Sequence, residues 1–323
     1  MDAVVDISKD LARRTLAQRR RTMAAIAEGE PRQAASPRQA RARSEYMRKR
    51  WPRLADAYIL EGNVGPDDSL WASFLSRGAR CARAVGRVSW AEEPAESRAK
   101  GTGFLVADSV LLTNHHVLSS RAMAERCVVE FDYEYDDLGR ERRGKVCALE
   151  PASLFVADEG LDYALVAVAD DSRGNPPGKT RGCLPLIQET GKAQNGESLN
   201  LIHHPGGGRK RVTIRESRLL AVDDKTLSYS GDTLGGSSGS PVFNDQWEVV
   251  GLHFGGKPHR DSRGRDLTAS GELWTPAMPE SSRGYEYNVG MRGSRILTHI
   301  RERRLTSRSA KALQRSVVQA FER

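Results

Sequence analysis

The chain has 323 residues, 38% of them hydrophobic and 28% charged, enough for one sizeable core or two small ones. No stretch approaches the roughly 20 apolar residues of a membrane-spanning helix, so a helical span is excluded. The net charge of +8 sits at the ends: residues 1–60 carry +7 and residues 301–323 carry +5, which leaves −4 on a mildly acidic middle.

The first residues, MDAVVDISKDLARRTLAQRRR, hold a basic run with no apolar stretch behind it and no small-residue cleavage site, so no secretory signal is expected. Cys81, Cys127, Cys147 and Cys183 are far apart and form no C-x-x-C pair. Together these features predict reduced cysteines in a cytoplasmic protein, with neither a disulfide framework nor a zinc knuckle.

Leu11, Leu16, Met23 and Ile26 recur at helical spacing and predict a helix within residues 11–27. Pro31 and Pro37 interrupt it, and a second helix is expected near 39–60. A third follows, with Leu70, Trp71, Phe74, Leu75 and Cys81 on one face and Asp68 or Ser69 as its cap. From about Val85 the pattern changes to short β-like runs between glycine and polar turns, among them GFLVADSVLLTNHHV, CVVEFDYEY, DYALVAV, SLNLIHH, KRVTIRES, LLAVDD and WEVVGLHF. Many short strands with little helix between them predict sandwich or barrel architecture. The last thirty residues read as one or two basic helices, and no repeat of fixed period is present.

The segment GDTLGGSSGSPVFNDQWEVVGLHFGG, residues 231–256, carries chemistry. A serine hydroxyl is a weak nucleophile and needs a base beside it and a tight backbone turn to present it. Gly235, Gly236 and Gly239 supply the turn around Ser238, and Pro241 stiffens the exit into a strand. The same turn aims the backbone N–H groups of Gly236 and Ser238 at one point, an arrangement suited to an oxyanion. Such a nucleophile demands a histidine as base and an acid to orient it. Two strands ending in T-x-x-H-V offer His116, with His115 beside it in a packing role. LDYALVAV then offers Asp162 at the head of an apolar strand, while Asp158 and Glu159 precede that strand.

The order G-x-S-G-x-P, the T-x-x-H and D-x-A-L segments, and SLNLIHHPGGG near 198–208 resemble the motifs of chymotrypsin-fold serine peptidases. GSSGSPVF followed by GLHFGG looks closest to the bacterial glutamyl-endopeptidase branch and its related trypsin-like peptidase domains. The resemblance covers about residues 84–300. It implies a mostly β protein with two six-stranded antiparallel β-barrels, about 84–188 and 189–300. A basic helical extension, 1–83, would precede them and a basic C-terminal helix, 301–323, would follow. It further implies a serine endopeptidase with the triad His116, Asp162 and Ser238, acting on protein or peptide substrates without cofactor. In the specificity pocket, Asp232 falls where trypsin-like enzymes pair a basic P1 side chain, whereas Thr233 and His253 fall where glutamyl endopeptidases receive an acidic one. Trypsin-like zymogens carry an Asp before the nucleophile for a newly cut amine to pair with, and here Ser237 stands in its place.

The alternatives differ in class. The His-His pairs 115/116 and 203/204 suggest metal, but neighbouring strand residues point to opposite faces and no further ligand cluster joins them. The basic termini suggest nucleic acid, against which the scarcity of aromatic stacking residues argues; a docking segment that recruits a substrate or an activator is the favoured role for the extension. A catalytically silent scaffold of the same fold is the runner-up.

Overall fold

The computed structural model describes residues 13–55, 70–92, 99–231 and 235–320. The first helix, α1 (Leu16–Ala27), ends before a single turn of 3-10 helix at Pro31–Ala34. The second, α2 (Pro37–Arg50), begins where Ser36 and Gln39 cap each other's backbone reciprocally, with Pro37 in the first turn where its missing N–H costs nothing. The third, α3 (Ser73–Arg83), has Ala72 at its N-cap position, and the expected caps Asp68 and Ser69 lie outside the described residues. Its inward face is narrower than the sequence suggests. Phe74 is buried against Trp247, while Trp71 and Leu75 remain 60% and 70% exposed. Gly78 is the reason: a Cβ there would lie 2.5 Å from the Trp247 ring, so the helix seats on that indole through a glycine.

Seven antiparallel strands follow: β1 (Val85–Trp90), β2 (Ala99–Ala107), β3 (Val110–Thr113), β4 (Cys127–Phe131), β5 (Lys145–Ala148), β6 (Phe155–Asp158) and β7 (Tyr163–Ala167), in the order β5-β4-β1-β2-β3-β7-β6. Short helices α4 (Arg121–Glu125) and α5 (Pro177–Arg181) decorate this sheet. The expectation of a six-stranded first barrel is corrected here, because the sheet has seven strands and is not closed. Just past the ends of β5 and β7, an isolated bridge joins Leu149 to Val168. β5 and β6, at the sheet's two margins, are four residues each.

The second half closes as expected. β8 (Ser198–His203), β9 (Arg211–Val222), β10 (Thr226–Tyr229), β11 (Pro241–Phe243), β12 (Val249–Pro258) and β13 (Tyr285–Arg292) form a barrel in the order β10-β13-β12-β11-β8-β9. KRVTIRES and LLAVDD are one continuous strand, bent at Arg215, whose φ of 60° is unusual for a residue with a side chain. Leu199, Leu201, Leu219, Leu227, Tyr229, Val242 and Val250 fill the barrel, one face of each strand turned inward by the period-2 alternation.

The C-terminal helices α6 (Gly293–Glu302) and α7 (Arg308–Gln319) return to the first sheet, where Ile296, Leu297, Ile300 and Val317 join its core. The described part of the N-terminal extension is fastened to the second barrel. In α1, Thr22 donates to the Leu220 carbonyl of β9 at 2.9 Å. In α2, the buried Arg43 meets Glu197 at 2.9 Å and Gln246 at 2.7 Å. Past α2, the Trp51 indole donates to Glu248 at 3.0 Å. Among the described residues no helix is long and apolar enough to cross a membrane.

Candidate active site

β3 delivers the chain to the turn that holds His116. The Asn114 carbonyl accepts from the amides of Val117 and Leu118, and the Asn114 side chain donates to the Asp162 carbonyl at 2.9 Å. Asp162 heads β7 in a left-handed conformation, φ 40°, in a turn whose first residue, Asp158, accepts the Leu161 amide at 2.8 Å. That strained turn presents a buried carboxylate whose two oxygens take both groups offered by one residue: Oδ1 accepts the His116 amide at 2.9 Å and Oδ2 faces His116 Nδ1 at 2.8 Å. The ring is thereby fixed with Nε2 outward, and its side chain is 37% exposed. Asp158 is engaged elsewhere, 3.5 Å from Nε2 of His299 on α6, and His299 Nδ1 lies 2.8 Å from the Tyr163 hydroxyl.

Ser238 lies on the loop between β10 and β11, pressed against β2. Its carbonyl accepts the Thr102 amide at 2.8 Å. Gly101 makes that approach possible, since a Cβ there would sit 2.9 Å from the Ser238 carbonyl oxygen and 2.8 Å from Val117, the neighbour of His116. The serine loop and the histidine turn are thus separated by the width of one glycine. Phe254 on β12 touches both sides: Ser238 Oγ points to its carbonyl at 3.5 Å, and its ring meets the His116 ring edge-on at 6.2 Å. No hydrogen bond joins Ser238 Oγ to His116 among the described residues. Such contacts are often long without substrate and tighten when it binds.

The geometry of the Gly235–Ser238 loop follows from its carbonyls. The Gly235 carbonyl accepts the Gly206 amide at 2.5 Å, and the Ser237 carbonyl accepts both the amide and the hydroxyl of Ser240. A trans peptide sets each following N–H opposite to its carbonyl, so the Gly236 and Ser238 amides are turned away from those partners. Neither donates to an acceptor among the described residues. Gly236 has φ 88°, and a Cβ on it would lie 2.6 Å from the His204 carbonyl oxygen, so both conformation and space require glycine.

Of the expected pocket residues, Asp232 and Thr233 lie outside the described residues. His253 is buried inside the barrel with Nδ1 2.5 Å from the Tyr229 hydroxyl, and burial pushes its pKa down to about 3, with His203 and His116 adding to the effect. It is a neutral ring, able to offer a hydrogen bond but no charge. Its backbone matters as much, pairing with the serine loop through Gly239 N–H at 3.0 Å and Ser240 O at 2.8 Å. The 203/204 pair splits between faces: His203 Nδ1 reaches the buried Ser237 hydroxyl at 2.8 Å, while His204 bonds the Gly208 carbonyl and stacks on Tyr133. Among the described residues no three His, Cys, Asp or Glu side chains gather as a metal site would require.

The sequence reading missed Thr102, Phe254, His299 and the His203–Ser237 contact. Only the last had a visible signal, the histidine in SLNLIHH, and its partner lies 34 residues away.

The chain is similar to several known proteins. Residues 101–252 match the family described as trypsin-like peptidase domain. The protein y4fB of Sinorhizobium fredii is 34% identical over 265 residues, which is 77% of this chain, and the chain spans 40% of that relative's length. Solved structures that are similar include the Rv3671c protease of M. tuberculosis in its active form, at 17% identity, 72% of this chain, 85% of that one and a TM-score of 0.44. A serine endoprotease from Yersinia pestis stands at 18% identity, 72% and 67% coverage and a TM-score of 0.46. A Glu endopeptidase stands at 16% identity, 68% and 88% coverage and a TM-score of 0.43. The stretch from Gly101 to Leu252, which matches the trypsin-like peptidase domain family, holds all three candidate catalytic side chains.

Proposed function

We propose that this chain is a serine endopeptidase that hydrolyses internal peptide bonds of protein substrates through an acyl-enzyme. The observation that carries the reading is the two-point grip of Asp162 on His116 beside the glycine-shaped Ser238 loop. Ser238 Oγ attacks the scissile carbonyl while His116 Nε2 takes its proton. Asp162 fixes the tautomer and stabilises the imidazolium that forms. The amides of Gly236 and Ser238 receive the oxyanion, one such donor contributing about 3–4 kcal/mol. The intermediate collapses as His116 returns the proton to the leaving amine, and a water repeats the sequence against the ester. Ser238 Oγ points to the Phe254 carbonyl at 3.5 Å, and the reading requires it to turn about its Cα–Cβ bond towards the His116 ring.

A fluorophosphonate probe tests this. Wild type labels at Ser238, Ser238→Ala does not, and a peptide-library profile of the wild type reports both turnover and the P1 preference that Asp232, Thr233 and His253 leave open. Equal labelling of the Ser238→Ala variant sinks the assignment. The silent-scaffold reading predicts no labelling and no cleavage.

A further inference from the structure

Ser237, immediately before the proposed nucleophile, is fully buried, and a buried hydroxyl needs a partner. Its partner is His203, at the end of β8, with Nδ1 2.8 Å away. The far side of that ring is met by a second hydroxyl, Thr213 Oγ1 on β9, 3.3 Å from Nε2. A neutral imidazole has one donor and one acceptor, and a hydroxyl can play either part, so this row of three groups is satisfied in either tautomer. Burial, helped by Arg211, pushes the His203 pKa down to about 4, which keeps the row uncharged at neutral pH.

The same short stretch of chain grips the loop by its backbone. The Gly206 amide holds the Gly235 carbonyl, and the His204 amide donates to Thr102 Oγ1, which donates in turn to the Gly236 carbonyl at 2.8 Å. The turn itself is anchored from the first sheet, where the buried Arg87 donates to the Gly207 carbonyl at 2.9 Å and pairs with Glu130 at 2.6 Å. The carbonyls of Gly235, Gly236 and Ser237 each have a donor; Thr102 on β2 ties the Gly236 carbonyl to the first sheet, and the Ser237 side chain adds a tie to β8 of the second barrel.

We propose that His203 and Ser237 form an uncharged clasp of two positioning residues that holds the Gly236–Ser238 loop in its oxyanion-binding shape, so that the loop needs no ion pair and no newly cut amine to become competent. The proposal rests on the serine-peptidase reading above. The clasp touches neither substrate nor reacting atoms, and acts through the orientation of two amides.

The test compares wild type, Ser237→Ala, His203→Ala and His203→Asn by three measurements: the second-order rate of fluorophosphonate labelling, the affinity for phenylboronic acid, and kcat and KM on a peptide found in the library screen. Both alanine variants are expected to label at least roughly tenfold more slowly and to bind the boronic acid more weakly by a similar factor, since one oxyanion donor is worth about 10²–10³ in rate. KM should stay within about twofold, because ground-state binding does not use the hole. His203→Asn, which keeps a polar group near Ser237, recovers part of the rate. If His203→Ala does not fold, Ser237→Ala, which removes one oxygen, carries the test alone. Labelling and boronic acid affinity within twofold of wild type in Ser237→Ala overturn the clasp while leaving the peptidase reading intact. A wild type that does not label at all removes the peptidase reading, and the clasp with it.

Discussion

Asp162 accepts two hydrogen bonds from a single histidine, one from its backbone and one from its ring, and these ask different things of the carboxyl group. The backbone bond fixes where the turn lies, and an amide oxygen could replace it. The ring bond sets the tautomer and balances the charge on a protonated imidazole, which an amide cannot do. Asp162→Asn should therefore fold and bind substrate with a near-normal KM, while kcat falls by about four orders of magnitude at neutral pH. Steady-state kinetics on a cleaved peptide check this, and a loss below tenfold would remove Asp162 from the mechanism. His116 and Asp162 were legible in the sequence because each sits at the end of an apolar strand, where the alternation fixes direction. Ser237 and His203 were not, because their meeting depends on how the end of β8 packs against the β10–β11 loop. Periodicity within either segment carries no record of that approach.

The helices flanking the sheets show the same limit at the scale of elements. Pro31 and Pro37 located the break between α1 and α2, yet nothing in their weakly apolar sequences announced that they would lie against the second barrel. The docking is polar. Gln39 reaches Asn195 at 3.1 Å, and a Cβ on Gly191, whose φ is 84°, would strike the Ala42 carbonyl oxygen at 2.3 Å, so α2 approaches the barrel backbone to backbone. At the centre lies Arg43, its side chain 2% exposed, with Glu197 as its charged partner. Arg43→Ala strips that carboxylate of its guanidinium in a mostly dry setting and should destabilise the protein by about 3 kcal/mol. In thermal denaturation that corresponds to a drop in Tm of roughly 6–12 °C. An unchanged Tm would show that α2 is a dispensable arm. The closed second barrel was foreseeable from its hairpins, whereas the seven-stranded first sheet was not. Whether four-residue strands such as β5 and β6 complete a ring is decided by contacts between strands, after the pattern along each has been spent.

Across the whole molecule, three histidines are held neutral by burial: His203 near 4, and His204 and His253 near 3, against an ordinary value of about 6.5. Between those values the unfolded chain binds protons that the folded chain refuses. Stability is therefore full above pH 6.5 and is lost as the pH falls towards 4, on the order of 1–2 kcal/mol per ring by pH 5. Urea midpoints measured from pH 7 to 4.5 should decline steadily, and a flat profile would contradict the burial of these rings. Thr102 is one of the residues at which the two lobes meet. Thr102 accepts the Thr113 hydroxyl through its carbonyl, just ahead of the His116 turn, and holds the Ser238 and Gly236 carbonyls through its amide and hydroxyl. The proposed base and the proposed nucleophile thus hang from the same point of a single strand although they belong to different halves of the fold. On the peptidase reading, any displacement of β2 at Thr102 therefore shifts His116 and Ser238 together.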